Sequence, residues 1–137
     1  MILLDTNVVS ELQKPGGNQR VKAFAERRKS DLHLSVITLG EILYGVSLLD
    51  HGRRRRELER YYAALDEIFG ERVLPISSEI AELWAKLRAG HRGIGRVLPL
   101  ADGLIAATAI VHDLTLWTRN TSDFGETGAR LFNPWED

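Results

Sequence analysis

The sequence predicts an α/β domain built on a mostly parallel sheet covered by helices, and two observations carry that prediction. Short apolar runs of strand length alternate along the whole chain with longer segments whose apolar residues recur at three-and-four spacing. The opening run, ILL at positions 2–4, is apolar at consecutive positions, as in strands buried on both faces. A chain of 137 residues makes one domain, 1–137, long enough for a proper core.

The elements follow in order. After the strand Ile2–Leu4, Thr6 or Asn7 caps a short helix through Leu12, which Pro15, Gly16 and Gly17 end. Asn18 caps a second helix, with Val21, Phe24 and Ala25 on one face and Arg27, Arg28 and Lys29 outside. LHLSVI (32–37) reads as a strand, and Thr38 as the start of a helix carrying Ile42, Leu43, Val46 and Leu49. From Arg53 to Phe69 lies the clearest helix, marked by Leu58, Tyr61, Tyr62, Leu65, Ile68 and Phe69. RVLPI (72–76) is a short strand that Pro75 puts at an edge or a strand end. Ser78 caps the next helix, whose buried stripe is Ile80, Leu83, Trp84 and Leu87 and whose stop is Gly90. Residues 90–98 then form a loop with Gly and Arg. A largely buried helix follows Pro99 through LADGLIAATAIV, LTLWT (114–118) is a strand, and ARLFN (129–133) is the last one.

Composition narrows the function. The net charge of −1 argues neither for nor against a polyanionic partner, so nucleic-acid binding must come from local placement of the 18 basic residues. With no cysteine, disulfides, zinc–thiolate sites and cysteine nucleophiles are excluded, which fits a reducing cytoplasm. Asp5 interrupts the first apolar run before a signal peptide could form, and Glu41, His112 and Asp113 cut the others, so no membrane span is expected.

Four acids stand at element boundaries beside apolar sequence: Asp5, Glu41, Asp102 and Asp123. Each has a purely structural explanation. Asp5 can cap the helix behind it. Thr38 and Glu41 match a T-x-x-E capping box. Asp102 falls in a first turn, where the helix dipole favours negative charge. Asp123 in NTSDF can be a turn residue. Together they say more. In parallel sheets ligands bind outside the carboxyl ends of the strands, the edge where the following helices also begin. Four carboxylates converging there repel one another, and hard divalent cations are the usual remedy. Mg²⁺ or Mn²⁺ held by acids alone suits phosphoryl chemistry.

LLDTN near the start, LGEI after the second strand, LADGLIAATA and TRNTSDF together resemble the PIN-domain ribonucleases, and the NPWE ending adds a likeness to the VapC and FitB type toxins of toxin–antitoxin modules. The resemblance covers nearly the whole chain and implies a PIN-like three-layer α/β/α domain. By it, Asp5, Glu41, Asp102 and Asp123 form a catalytic, metal-binding pocket for Mg²⁺ or Mn²⁺, with Thr6 and Asn120 as polar support. It further implies an RNA substrate, an antitoxin encoded nearby through which alone DNA is met, and a homodimer.

Two rival readings are weaker. A haloacid-dehalogenase-like phosphatase needs a second aspartate two positions after the first, where this chain has Asn7. A non-catalytic module of the same fold would be expected to have lost an acid, and all four are present. Arg92 and Arg96 in GHRGIGR are candidate RNA contacts, since their segment leads into the helix bearing Asp102. The run Arg53–Arg56 reads as a solvated face. The four histidines, without ligand spacing, read as surface or boundary residues, Trp84 as a core or helix–helix contact, and Tyr61 with Tyr62 as an apolar face open to a second copy.

Overall fold

The computed structural model describes residues 1–136. Its strands are β1 (Ile2–Leu4), β2 (Leu32–Ser35), β3 (Val73–Leu74), β4 (Thr115–Trp117) and β5 (Leu131–Phe132). They form one sheet in the order β3-β2-β1-β4-β5 with every neighbouring pair parallel, which sharpens the expectation of a mostly parallel one. The helices are α1 (Thr6–Gln13), α2 (Gln19–Arg27), α3 (Val36–Ser47), α4 (Arg53–Phe69), α5 (Ser78–Gly93) and α6 (Leu100–Val111).

The period-two alternation of the strands sorts side chains onto two faces. Ile2, Leu4, Leu34 and Trp117 pack with Val8 and Val9 of α1, Val21 of α2 and Leu65 of α4. Leu3 and Leu116 point the other way, onto Ile105, Ala106 and Ala109 of α6. The result is the three-layer α/β/α arrangement. Tyr61 and Tyr62 pack half-buried against this core, and the Tyr61 hydroxyl donates to the Val9 carbonyl at 3.2 Å.

Small residues on α6 let α5 come close. A Cβ added at Gly103 would lie 2.8 Å from Trp84 Cδ1 and 3.1 Å from Leu98 Cδ2, so Trp84 is a helix–helix contact. In an isolated helix Ala is favoured over Gly by about 1 kcal/mol. Here overpacking wins, and Gly103→Ala is expected to destabilise by about 1–3 kcal/mol in thermal or urea unfolding. A variant as stable as the parent would show that the two helices do not meet this tightly.

Several boundaries move. β2 ends at Ser35, not at residue 37, and the Ser35 hydroxyl accepts from the Ile37 N–H at 3.0 Å, so Ser35 and not Thr38 caps α3. The Thr38–Glu41 capping box therefore does not form: Thr38 is wholly buried inside the first turn, and Glu41 lies in the second. Ser77, one residue earlier than expected, caps α5 through the Ile80 N–H at 3.2 Å. Gly90 does not stop α5, which runs on to Gly93, because one glycine costs a helix only about 1 kcal/mol. Arg92 accordingly sits on a helix and not in a loop. His33 and His91 are buried, not at the surface, each with Nδ1 on backbone carbonyls. No helix among the described residues is long and apolar enough to cross a membrane.

Candidate active site

Asp5 follows β1 directly and caps α1, one carboxylate oxygen accepting the Thr6 N–H at 2.8 Å. Capping occupies only that oxygen. The other accepts from the Thr118 hydroxyl at 2.8 Å and from Asn7 Nδ2 at 3.3 Å. Thr118 is there because β1 and β4 run parallel with Leu4 beside Trp117, so the residues just beyond each strand end side by side. The Asp5 N–H donates to the Trp117 carbonyl at 2.9 Å. Burial pushes the Asp5 carboxyl above its ordinary pKa against the pull of the Thr118 and Thr6 hydrogen bonds, and the charges of Glu41 and Asp123 push the same way.

Glu41 reaches this edge from the second turn of α3. Its carboxylate accepts the Thr6 hydroxyl at 2.6 Å, so one threonine joins two of the four acids, by its N–H to Asp5 and its hydroxyl to Glu41. Asp102, in the first turn of α6, has its carboxyl pushed up to about 6, first by burial and then by Asp5, Asp123 and Glu41. Asp123 stands exposed on a 3₁₀ turn, Thr121–Phe124, whose Phe124 is sunk into the core beneath it. Asn120 supports that turn through its backbone: its N–H donates to Thr118 Oγ1 at 3.1 Å and its carbonyl accepts the Asp123 N–H at 3.0 Å.

Asp102 and Asp123 line one pocket of about 390 Å³ with His91, Arg96, Ser122 and Glu126. Glu41 and Thr6 line a smaller hollow of about 170 Å³ beside α1 and α3. Arg96 pairs with Glu126 at 3.8 Å, both side chains being half in solvent. Arg92 is exposed and lies outside the residues lining that pocket, so the structure separates the two arginines. In the Arg53–Arg56 run Arg53, Arg54 and Arg56 are exposed, Arg53 pairing with Glu57 at 3.0 Å, whereas Arg55 is partly buried, pairing with Glu59 at 3.1 Å and donating to the Leu49 carbonyl at 3.2 Å.

Three supporting residues escaped the sequence reading. Thr118 holds Asp5 across 113 residues, and only the register of β1 on β4 connects them. Asn7 donates to Asp5 and accepts the Arg119 N–H at 3.3 Å, so it braces the loop after β4, where a phosphatase would need an acid. His91 lines the acidic pocket although no ligand spacing announces it.

The donor set is all oxygen, which suits a hard cation. Among the described residues no three of the acids and histidines stand close enough to enclose an ion as they lie.

Residues 2–129 match the PIN domain family model. The chain is 41% identical to toxin FitB of Neisseria gonorrhoeae over the whole length of both proteins. It is 38% identical to the VapC ribonuclease Y4jK of Sinorhizobium fredii over 99% of each. Its fold superposes with a TM-score of 0.92 on a chain of FitAB bound to an IR36 DNA fragment, at 38% identity over 100% of this chain and 97% of that one. The acidic edge, the parallel sheet that makes it and the match along the chain agree, and the protein belongs to the PIN-domain family, in the group that holds toxin FitB and the VapC ribonucleases.

Proposed function

We propose that the protein is a metal-dependent endoribonuclease, the toxin of a type II toxin–antitoxin pair, acting in the cytoplasm on RNA phosphodiester bonds. The observation that carries this is the placing of four acids from separate elements at one sheet edge, Asp5 and Glu41 joined by Thr6 and Asp102 and Asp123 lining one pocket. The likeness to proteins named as ribonucleases supports the choice of RNA.

Asp5, Glu41, Asp102 and Asp123 would hold Mg²⁺ or Mn²⁺, which when bound neutralises a scissile phosphate and lowers the pKa of a bound water. The chain's own contribution is to hold its carboxylates in place. Thr118, Thr6 and Asn7 fix both oxygens of Asp5, so it meets the ion without reorganising. Thr6 does the same for Glu41. Arg96 at the pocket and Arg92 on the last turn of α5 offer cations to the flanking phosphates. The partners are an antitoxin encoded nearby and a second copy of the chain. DNA is met only through the antitoxin, a reading supported by the DNA-bound FitAB relative.

Purified free of antitoxin, the protein should cleave RNA with Mg²⁺ or Mn²⁺, stop on addition of EDTA, and leave p-nitrophenyl phosphate intact. Undiminished RNA cleavage in excess EDTA would remove the metal from the reading. Turnover of the small phosphoester without RNA cleavage would return the site to a phosphatase.

A further inference from the structure

Within the acidic pocket His91 is a buried polar side chain with no place in the scheme above. His91 sits in the last turn of α5, only 6% exposed, and lines the pocket with Asp102 and Asp123. Its ring is oriented by a 2.8 Å hydrogen bond from Nδ1 to the Leu87 carbonyl. A carbonyl only accepts, so Nδ1 carries the proton and, in the neutral ring, Nε2 presents a lone pair. Its backbone is fixed too, since the His91 carbonyl accepts the Arg96 N–H at 2.8 Å and the Ile94 N–H at 3.1 Å.

Among the described residues Nε2 has no hydrogen-bond partner. Among the described residues the side-chain atoms sealed off without a partner are Thr38 Oγ1 and Trp84 Nε1, so Nε2 of His91 is not among the sealed atoms, and the residue that carries it lines the pocket. A fixed acceptor asks for a donor. Phosphate oxygens offer none to it. On a nucleic-acid strand the donors are base N–H groups and the ribose 2′-hydroxyl. Only the hydroxyl recurs beside every phosphodiester whatever the base, and it is what separates RNA from DNA.

Resting on the reading of this pocket as the cleavage site, we propose that His91 is a specificity-determining residue whose Nε2 accepts the 2′-hydroxyl beside the bond to be cut, so that the pocket selects ribose over deoxyribose. His91 takes no part in the bond-breaking step.

The test starts by mapping one bond cut in a long natural RNA by the unaltered protein with Mn²⁺. Two short oligonucleotides spanning it are then made, alike except for ribose or deoxyribose immediately 5′ to that bond. The unaltered protein should cut the ribose form faster by on the order of tenfold, the loss expected when a buried acceptor is left without its donor. His91→Phe keeps a ring and removes the lone pair, and it should bring the ratio close to one. His91→Gln keeps an acceptor near the Nε2 position and should restore part of the ratio, which also guards against a Phe variant that fails to fold. A ratio unchanged in both folded variants, or losses equal on the two oligonucleotides, would overturn the role of His91 while leaving the cleavage site standing. Absence of any cleavage by the unaltered protein would overturn the site and this role together.

Discussion

Asp102→Asn is expected to lower RNA cleavage by on the order of a hundredfold or more, while making the metal-free protein relatively more stable as pH rises from 4 to 7. The two effects come from one charge. In the folded chain burial and three neighbouring acids push the Asp102 carboxyl from 3.8 up to about 6. Below pH 4 both folded and unfolded chains hold the proton and the group does not matter. Between pH 4 and 6 the folded chain holds it and the unfolded chain does not, so rising pH favours unfolding. Above pH 6 the penalty is complete. Because the carboxyl is half-buried and solvent screens it, the penalty is about 1 kcal/mol and not the larger figure that the bare shift implies.

Asn removes that penalty but also forfeits the favourable charge at the start of α6, about 0.3–1 kcal/mol at any pH where Asp is ionised. The net gain at neutral pH is therefore small, and its growth with pH is the diagnostic. Melting temperatures of both proteins in EDTA, taken from pH 4 to 8, measure it directly. Mn²⁺ should stabilise the unaltered protein more than the variant. A difference between the two that stays flat across this pH range would mean that Asp102 serves only the helix dipole.

Phe124→Ala should be the most destabilising of these changes, by about 3–5 kcal/mol, and should also cost turnover. The ring is 1% exposed and packs with Leu3, Ile105 and Leu116. It anchors this segment in the core, beside the exposed Arg96–Glu126 pair and short-range bonds such as that from the Thr127 hydroxyl to the Phe124 carbonyl at 2.6 Å. Asp123 is the preceding residue and is itself exposed, so its position depends on where Phe124 sits. A loss of this size approaches the whole stability of an ordinary domain. Phe124→Leu, milder, keeps the test open if the Ala variant does not fold. Urea unfolding gives the stability, and single-turnover cleavage beside RNA binding separates chemistry from affinity. Turnover should fall more than affinity. A Leu variant that loses stability and keeps full turnover would show that Asp123 is placed by something else.

The sequence by itself determined the alternation of strands and helices and the four acids at boundaries. Each of these is local. The periods of two and 3.6, the acid beside an apolar run and the cap at Asn18 are read within a few residues of themselves. Tertiary structure decided the rest. Ser35 displaced Thr38 as cap because β2 ends where its pairing with Leu74 of β3 ends, and the helix can begin only there. Glu41 thereby moved out of a capping box and into reach of Thr6. Thr118 became the partner of Asp5, and His91 an element of the pocket, through the register of β1 on β4 and the continuation of α5 past Gly90. Register and the packing of one helix on another are set by contacts between residues tens of positions apart, so no window of the chain contains them, and a polar residue whose role depends on such a neighbour looks ordinary until the neighbour is in place.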